Sequence, residues 1–127
     1  MKFKPIFIGA IVVYFVFGLA FFLFPEFAIM RFSTESVLST STQYITRWWG
    51  AAYIGLGMSL LFALKASPDS IGMRALYIGH FVHLALGFFV TIADLIWGAP
   101  KPTLWIVLVL FGVFAILFGL LAFKKKD

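Results

Sequence analysis

Residues 71–97 read IGMRALYIGHFVHLALGFFVTIADLIW, and the whole fold turns on this stretch. It is apolar and long enough to cross a bilayer, which takes about 20 residues at 1.5 Å each. Yet it carries His80, His83 and Asp94, groups that hydrocarbon penalises. At about 100° per residue, His80, His83, Gly87, Thr91 and Asp94 fall within one arc of roughly 80°. Ile78, Val82, Ala85, Phe89 and Ile96 point the other way. One face can meet lipid; the other needs cover from neighbouring helices.

Composition agrees. Of 127 residues 63% are hydrophobic and only 12% charged, with a mean hydropathy of +1.07, whereas soluble domains carry about a quarter charged residues. The length suits four crossings and leaves little chain for a domain outside the membrane. The expected fold is all-α, a four-transmembrane-helix bundle forming a single integral membrane domain over residues 1–127. There is no cysteine, which excludes disulfides, thiol chemistry and iron–sulfur ligation.

Working outward, residues 6–24 form a first helix after Lys2 and Lys4, stopped at Pro25. A signal peptide opens similarly, but its apolar core is shorter and ends at a small-residue cleavage site that this segment lacks. Residues 25–42 form the longest connection, first apolar-mixed (Phe27, Ile29, Met30, Phe32) and suited to a short helix at the interface. It then becomes rich in Ser and Thr, at Ser33, Thr34, Ser36 and Ser39 to Thr42. The Thr40–Gln43 spacing is that of a capping box and opens a second helix over residues 43–65. Arg47, Trp48 and Trp49 near its start make an aromatic belt with a basic anchor. Gly50 and Gly57 flank Tyr53 on one side, and Ala51, Gly55 and Ser59 form a second ridge of small residues, so close neighbours are expected on two sides. Ser67 as N-cap, Pro68 at the first helical position and Asp69 in the first turn predict a third helix over residues 70–97. After Gly98 to Pro102, a last helix over residues 103–123 carries Gly112, Ala115, Gly119 and Ala122 in one stripe.

Four crossings gather Lys2, Lys4, Lys65, Arg74 and Lys124 to Lys126 on one side, against Arg31, Arg47 and Lys101 on the other. The positive-inside rule then gives a multi-pass protein of the cell (cytoplasmic) membrane, N-in/C-in, with the Ser/Thr-rich loop outside. On this topology His83 lies roughly 13 Å above Arg74, near the bilayer midplane. Asp94 and Arg47 come to matching depth near the outer interface, where a pair would neutralise two costly charges and either lock helices two and three or line an outward-facing cavity; the alternative is Arg47 snorkelling to headgroups without a partner.

The candidate polar cluster is therefore His80, His83, Thr91, Asp94, Arg47 and Tyr53, serving either as structural glue between helices or as a ligand-binding set. The histidines, three apart on one face, can hydrogen-bond Tyr14, Tyr53, Ser59, a carbonyl or a ligand headgroup. Neither cysteine nor a nearby carboxylate completes a metal set around them. Two imidazoles on the same side of one helix cannot hold a haem iron from opposite faces. No metal and no cofactor is expected. Catalytic triads, phosphate-cradling glycine loops and nucleic-acid modules are absent from the sequence, so neither an enzyme nor a nucleic-acid partner is expected.

Residues 47–57, RWWGAAYIGLG, follow a first helix and an outer loop. This run resembles the R-x-x-G-x-x-x-x-G-x-G opening of helix two in the DoxX-like families of small prokaryotic four-helix membrane proteins. Those relatives include a subunit of a thiosulfate:quinone oxidoreductase, so the resemblance implies a quinone or a membrane redox partner; cysteines found in some relatives have no counterpart here. Four-helix multidrug transporters do not fit, because their coupling carboxylate lies in helix one and residues 6–24 contain no acid. Three readings follow in order: a non-enzymatic accessory or scaffold protein with a membrane-protein partner or homo-oligomer; a binder of a membrane amphiphile (quinone, sterol or lipid); and a proton or small-solute pathway. The lipid bilayer is a partner in all three.

Overall fold

A computed structural model of the chain describes residues 3–32, 39–98 and 101–124. Ser33, Thr34, Ser36, Ala99, Pro100, Lys2, Lys125 and Lys126 lie outside the described residues. Those described form five helices: α1 (Phe3–Leu23), α2 (Pro25–Ile29), α3 (Thr40–Ala63), α4 (Ile71–Trp97) and α5 (Pro102–Ala122). Among them α1, α4 and α5 are long and apolar enough to cross a membrane. With 27 residues α4 is about 40 Å long, more than a hydrocarbon core of about 30 Å requires. At 24 residues α3 is long enough as well, but its Thr-, Gln- and Arg-containing first half makes it less apolar than the other three.

Local chemistry sets the helix ends. Pro25 has no N–H to continue α1 and instead takes the first position of α2, where that donor is not needed. The short helix expected after Pro25 is present, with five residues. Two caps differ from the sequence reading. The helix that Thr40 and Gln43 were expected to box is capped by Ser39, whose Oγ accepts from Thr42 N at 3.1 Å, while Gln43 N bonds Ser39 O at 3.1 Å. The cap of α4 is Ser70, not Ser67. Ser70 is extended and its Oγ accepts from Met73 N at 3.2 Å. Ser67 instead accepts Ser70 N on its carbonyl at 3.2 Å, so Pro68 and Asp69 form a turn before the helix.

The chain divides into two compact units, residues 7–62 and residues 1–6 with 63–127. In the first, α1 and α3 run antiparallel, since Gly57 meets Tyr14 while Gly50 meets Phe22. Their backbones touch at two glycines: a methyl on Gly50 would sit 2.5 Å from Phe22 N and 2.7 Å from Gly18 O. Only a residue without Cβ permits that approach. Next to the crossing, Tyr53 stacks on Tyr14 with centroids 5.9 Å apart. Phe21 and Phe17 continue the aromatic layer to Phe32, folded back beyond α2.

In the second unit, α4 and α5 form a hairpin in which Gly87 meets Phe111, Phe88 meets Gly112, and Phe81 meets Gly119. Met73, Tyr77, His80, Leu84 and Thr91 are buried on α4, and Leu104, Ala115, Phe118 and Ala122 on α5. Steps of three and four, or their sums, make both seams, the 3.5-residue repeat of left-handed helix packing. The expected small-residue stripe of α5 lies on this seam. Opposite it, Ile106, Val109, Val113, Ile116 and Leu120 stand exposed in the complementary repeat. Water would penalise so large an apolar face; acyl chains do not.

Candidate functional site on the polar face of α4

The predicted division of α4 into two faces holds for most of its length, with Ala85 half-buried on the outer face and Asp94 exposed on the inner one. Ile78, Val82, Phe89 and Ile96 are exposed. His80 and Thr91 are buried, and His83 and Gly87 are half-buried. His80 is only 2% exposed and lies on the ring of Phe118, centroids 5.1 Å apart and planes 25° apart. His83 sits one turn further along, tilted at 54° to Phe111 with centroids 6.4 Å apart.

Phe111 ties the two halves of the site together, because its ring also fills the space that a Cβ on Gly87 would need. Gly87 thus admits an aromatic side chain from α5 beside the backbone of α4. The Thr91 hydroxyl donates to Gly87 O at 2.8 Å, which commits its proton to the helix itself. Between residues 102 and 122 the only side chains able to hydrogen-bond are Thr103 and Trp105, both at the start of α5. At the level of the imidazoles, then, α5 presents ring faces and small residues.

The remaining members of the predicted cluster are placed differently. Asp94 is exposed in the last turn of α4, where its carbonyl accepts Gly98 N at 2.9 Å. Arg47 is exposed on α3, and Tyr53 is half-buried against Tyr14 and Phe21; both belong to the first unit. The structure thus gathers His80, His83, Gly87 and Thr91 on one seam. The matching depth of Arg47 and Asp94 stays a sequence-based expectation.

Phe111 and Phe118 were not singled out from the sequence, although a signal exists. They are seven residues apart on α5, in the same repeat as Ala115 and Ala122, which marks them as facing a partner helix. Among the described residues no three His, Cys, Asp or Glu side chains are grouped so as to hold a metal ion. Comparison with family models, with curated proteins and with solved structures gives no match.

Proposed function

We propose that the chain is a four-span, N-in/C-in protein of the cell membrane that acts without catalysis, as an accessory or scaffold subunit. The observation that carries this reading is the use made of the imidazoles: His80 is a stacking platform for Phe118, closed into the helix seam as a packing group. Membrane embedding is supported by α1, α4 and α5. The fourth span is supported by the antiparallel crossing of α3 on α1 at Gly18 and Gly50. The resemblance of residues 47–57 to DoxX-like proteins agrees with it. Further support comes from Gly55 and Gly79, which have no atom within 4 Å of a built Cβ and leave room for another protein's backbone.

Photocrosslinkers at positions 55 and 79 in native membranes test this. The scaffold reading predicts one protein, in fixed ratio, at these positions and only lipid at Val109. Lipid alone at all three positions contradicts it.

A second reading, binding of a quinone, sterol or lipid, is favoured by one feature. The half-buried His83 lies beside the ring of Phe111, an apolar surface suited to a lipid-like tail. Mass spectrometry of solvent extracts from the purified protein tests it: a stoichiometric amphiphile supports it, and bulk lipid alone removes it.

A further inference from the structure

We propose that the end of the second unit at which α4 begins and α5 ends is a docking surface for the headgroups of anionic phospholipids. This rests on the membrane embedding proposed above and goes beyond it. Arg74 stands in the first turn of α4, Lys65 in the connection before it, Lys124 just past α5, and Lys4 in the first turn of α1, whose opening residues belong to the same unit. All four are exposed, and Asp69 is the one described acid among them. At the opposite end of this unit Lys101 is matched by Asp94.

On the four-span topology proposed above, the charges of the sequence divide the same way. Lys2, Lys4, Lys65, Arg74, Lys124, Lys125 and Lys126, less Asp69 and Asp127, leave +5, which is the formal net charge of the chain. Arg31, Arg47 and Lys101 are cancelled by Glu26, Glu35 and Asp94. An orientation signal requires only that cations stay on one side. Here Lys65, Arg74 and Lys124 also stand at one end of the folded α4/α5 hairpin.

The connection from α3 to α4 is held by three hydrogen bonds to backbone carbonyls. Ala66 N reaches Ala63 O at 3.0 Å, Ser70 N reaches Ser67 O at 3.2 Å, and the Tyr77 hydroxyl donates to Pro68 O at 3.5 Å. Lys65 and Arg74 thus flank a built turn. Exposed Ile71 and Ile78 on α4, and exposed Leu120 and Phe123 at the end of α5, carry the apolar surface up to the level of Arg74 and Lys124. That puts the cations at headgroup level, where like charges gain most from phosphate counter-charge.

The test is native mass spectrometry of the full chain from nanodiscs of equal phosphatidylglycerol and phosphatidylcholine. The wild-type protein should retain phosphatidylglycerol selectively, and raised salt should weaken that selectivity. Lys65→Gln/Arg74→Gln/Lys124→Gln should lower it more than tenfold, since each juxtamembrane cation is worth roughly fivefold. Arg31→Gln/Arg47→Gln should leave it intact. Equal retention of the two lipids by wild type, or unchanged selectivity in the triple variant, overturns the proposal. Should the triple variant not fold, salt-independent selectivity of the wild type overturns it equally. Failure of the chain to enter nanodiscs at all speaks instead against the membrane reading.

Discussion

The imidazole of His80 lies nearly parallel to the ring of Phe118, centroids 5.1 Å apart, and both side chains are shut off from their surroundings. A polar ring midway along an apolar helix is thereby used as an aromatic packing surface. Its π-face meets Phe118 while its nitrogens lie in the ring plane and point to the side. The polarity of α4 is thus accommodated by geometry, without an equally polar α5.

Truncating that platform should be costly. Phe118→Ala removes a fully buried ring and is expected to lower stability by roughly 3 kcal/mol. Ile116→Ala, on the exposed face of the same helix, should cost well under 1 kcal/mol. Thermal unfolding of both variants in one detergent measures the contrast, and equal losses would show that α5 does not pack through Phe118.

The α1/α3 crossing makes a similar demand on a smaller residue. A methyl at Gly50 meets backbone atoms that cannot rotate away, so Gly50→Ala should cost about 1–3 kcal/mol. At Gly55 a built Cβ touches nothing, so Gly55→Ala should be neutral or gain up to about 1 kcal/mol in helix propensity. Melting temperatures moving in the same direction by the same amount would contradict the crossing.

The start of α4 offers a local check. Ser70→Ala removes the oxygen that accepts Met73 N and should cost about 1 kcal/mol. Ser67→Ala, three residues earlier, leaves the Ser67 carbonyl bond intact and should cost a few tenths at most. Reversed costs would return the cap to Ser67.

Topology reporters examine the fourth span. Inserted between residues 33 and 38 a reporter should read as external; inserted after Pro68, or fused after Asp127, it should read as cytoplasmic. Equal readings at the first two positions would mean that α3 does not cross.

What the sequence made legible is what periodicity encodes. The two faces of α4, the small-residue stripe of α5 and the Gly50–Tyr53–Gly57 side of α3 all follow from helical periodicity, and all three are occupied accordingly except at Asp94, which is exposed in the last turn of α4. Caps were less legible, because Ser67 and Ser70, or Ser39 and Thr40, are chemically equal candidates and only backbone conformation chooses between them. The partners of the imidazoles were not legible at all. Pairing His80 with Phe118 requires the register of the α4/α5 hairpin, and no local pattern states a register. The second ridge of α3 meets no neighbour among the described residues at Gly55, which is exposed like Ala51, while Ser59 is half-buried.

The decisive measurement is the oxygen accessibility of nitroxide labels along α4 in lipid vesicles, which the cysteine-free sequence makes straightforward. Labels at positions 78, 82, 86 and 89 should be open to oxygen dissolved in the acyl chains, and labels at 77, 80, 84 and 91 shielded, with a period near 3.5 residues. Accessibility at position 80 equal to that at position 82 would put the imidazole face in lipid and contradict the covered seam on which the rest depends.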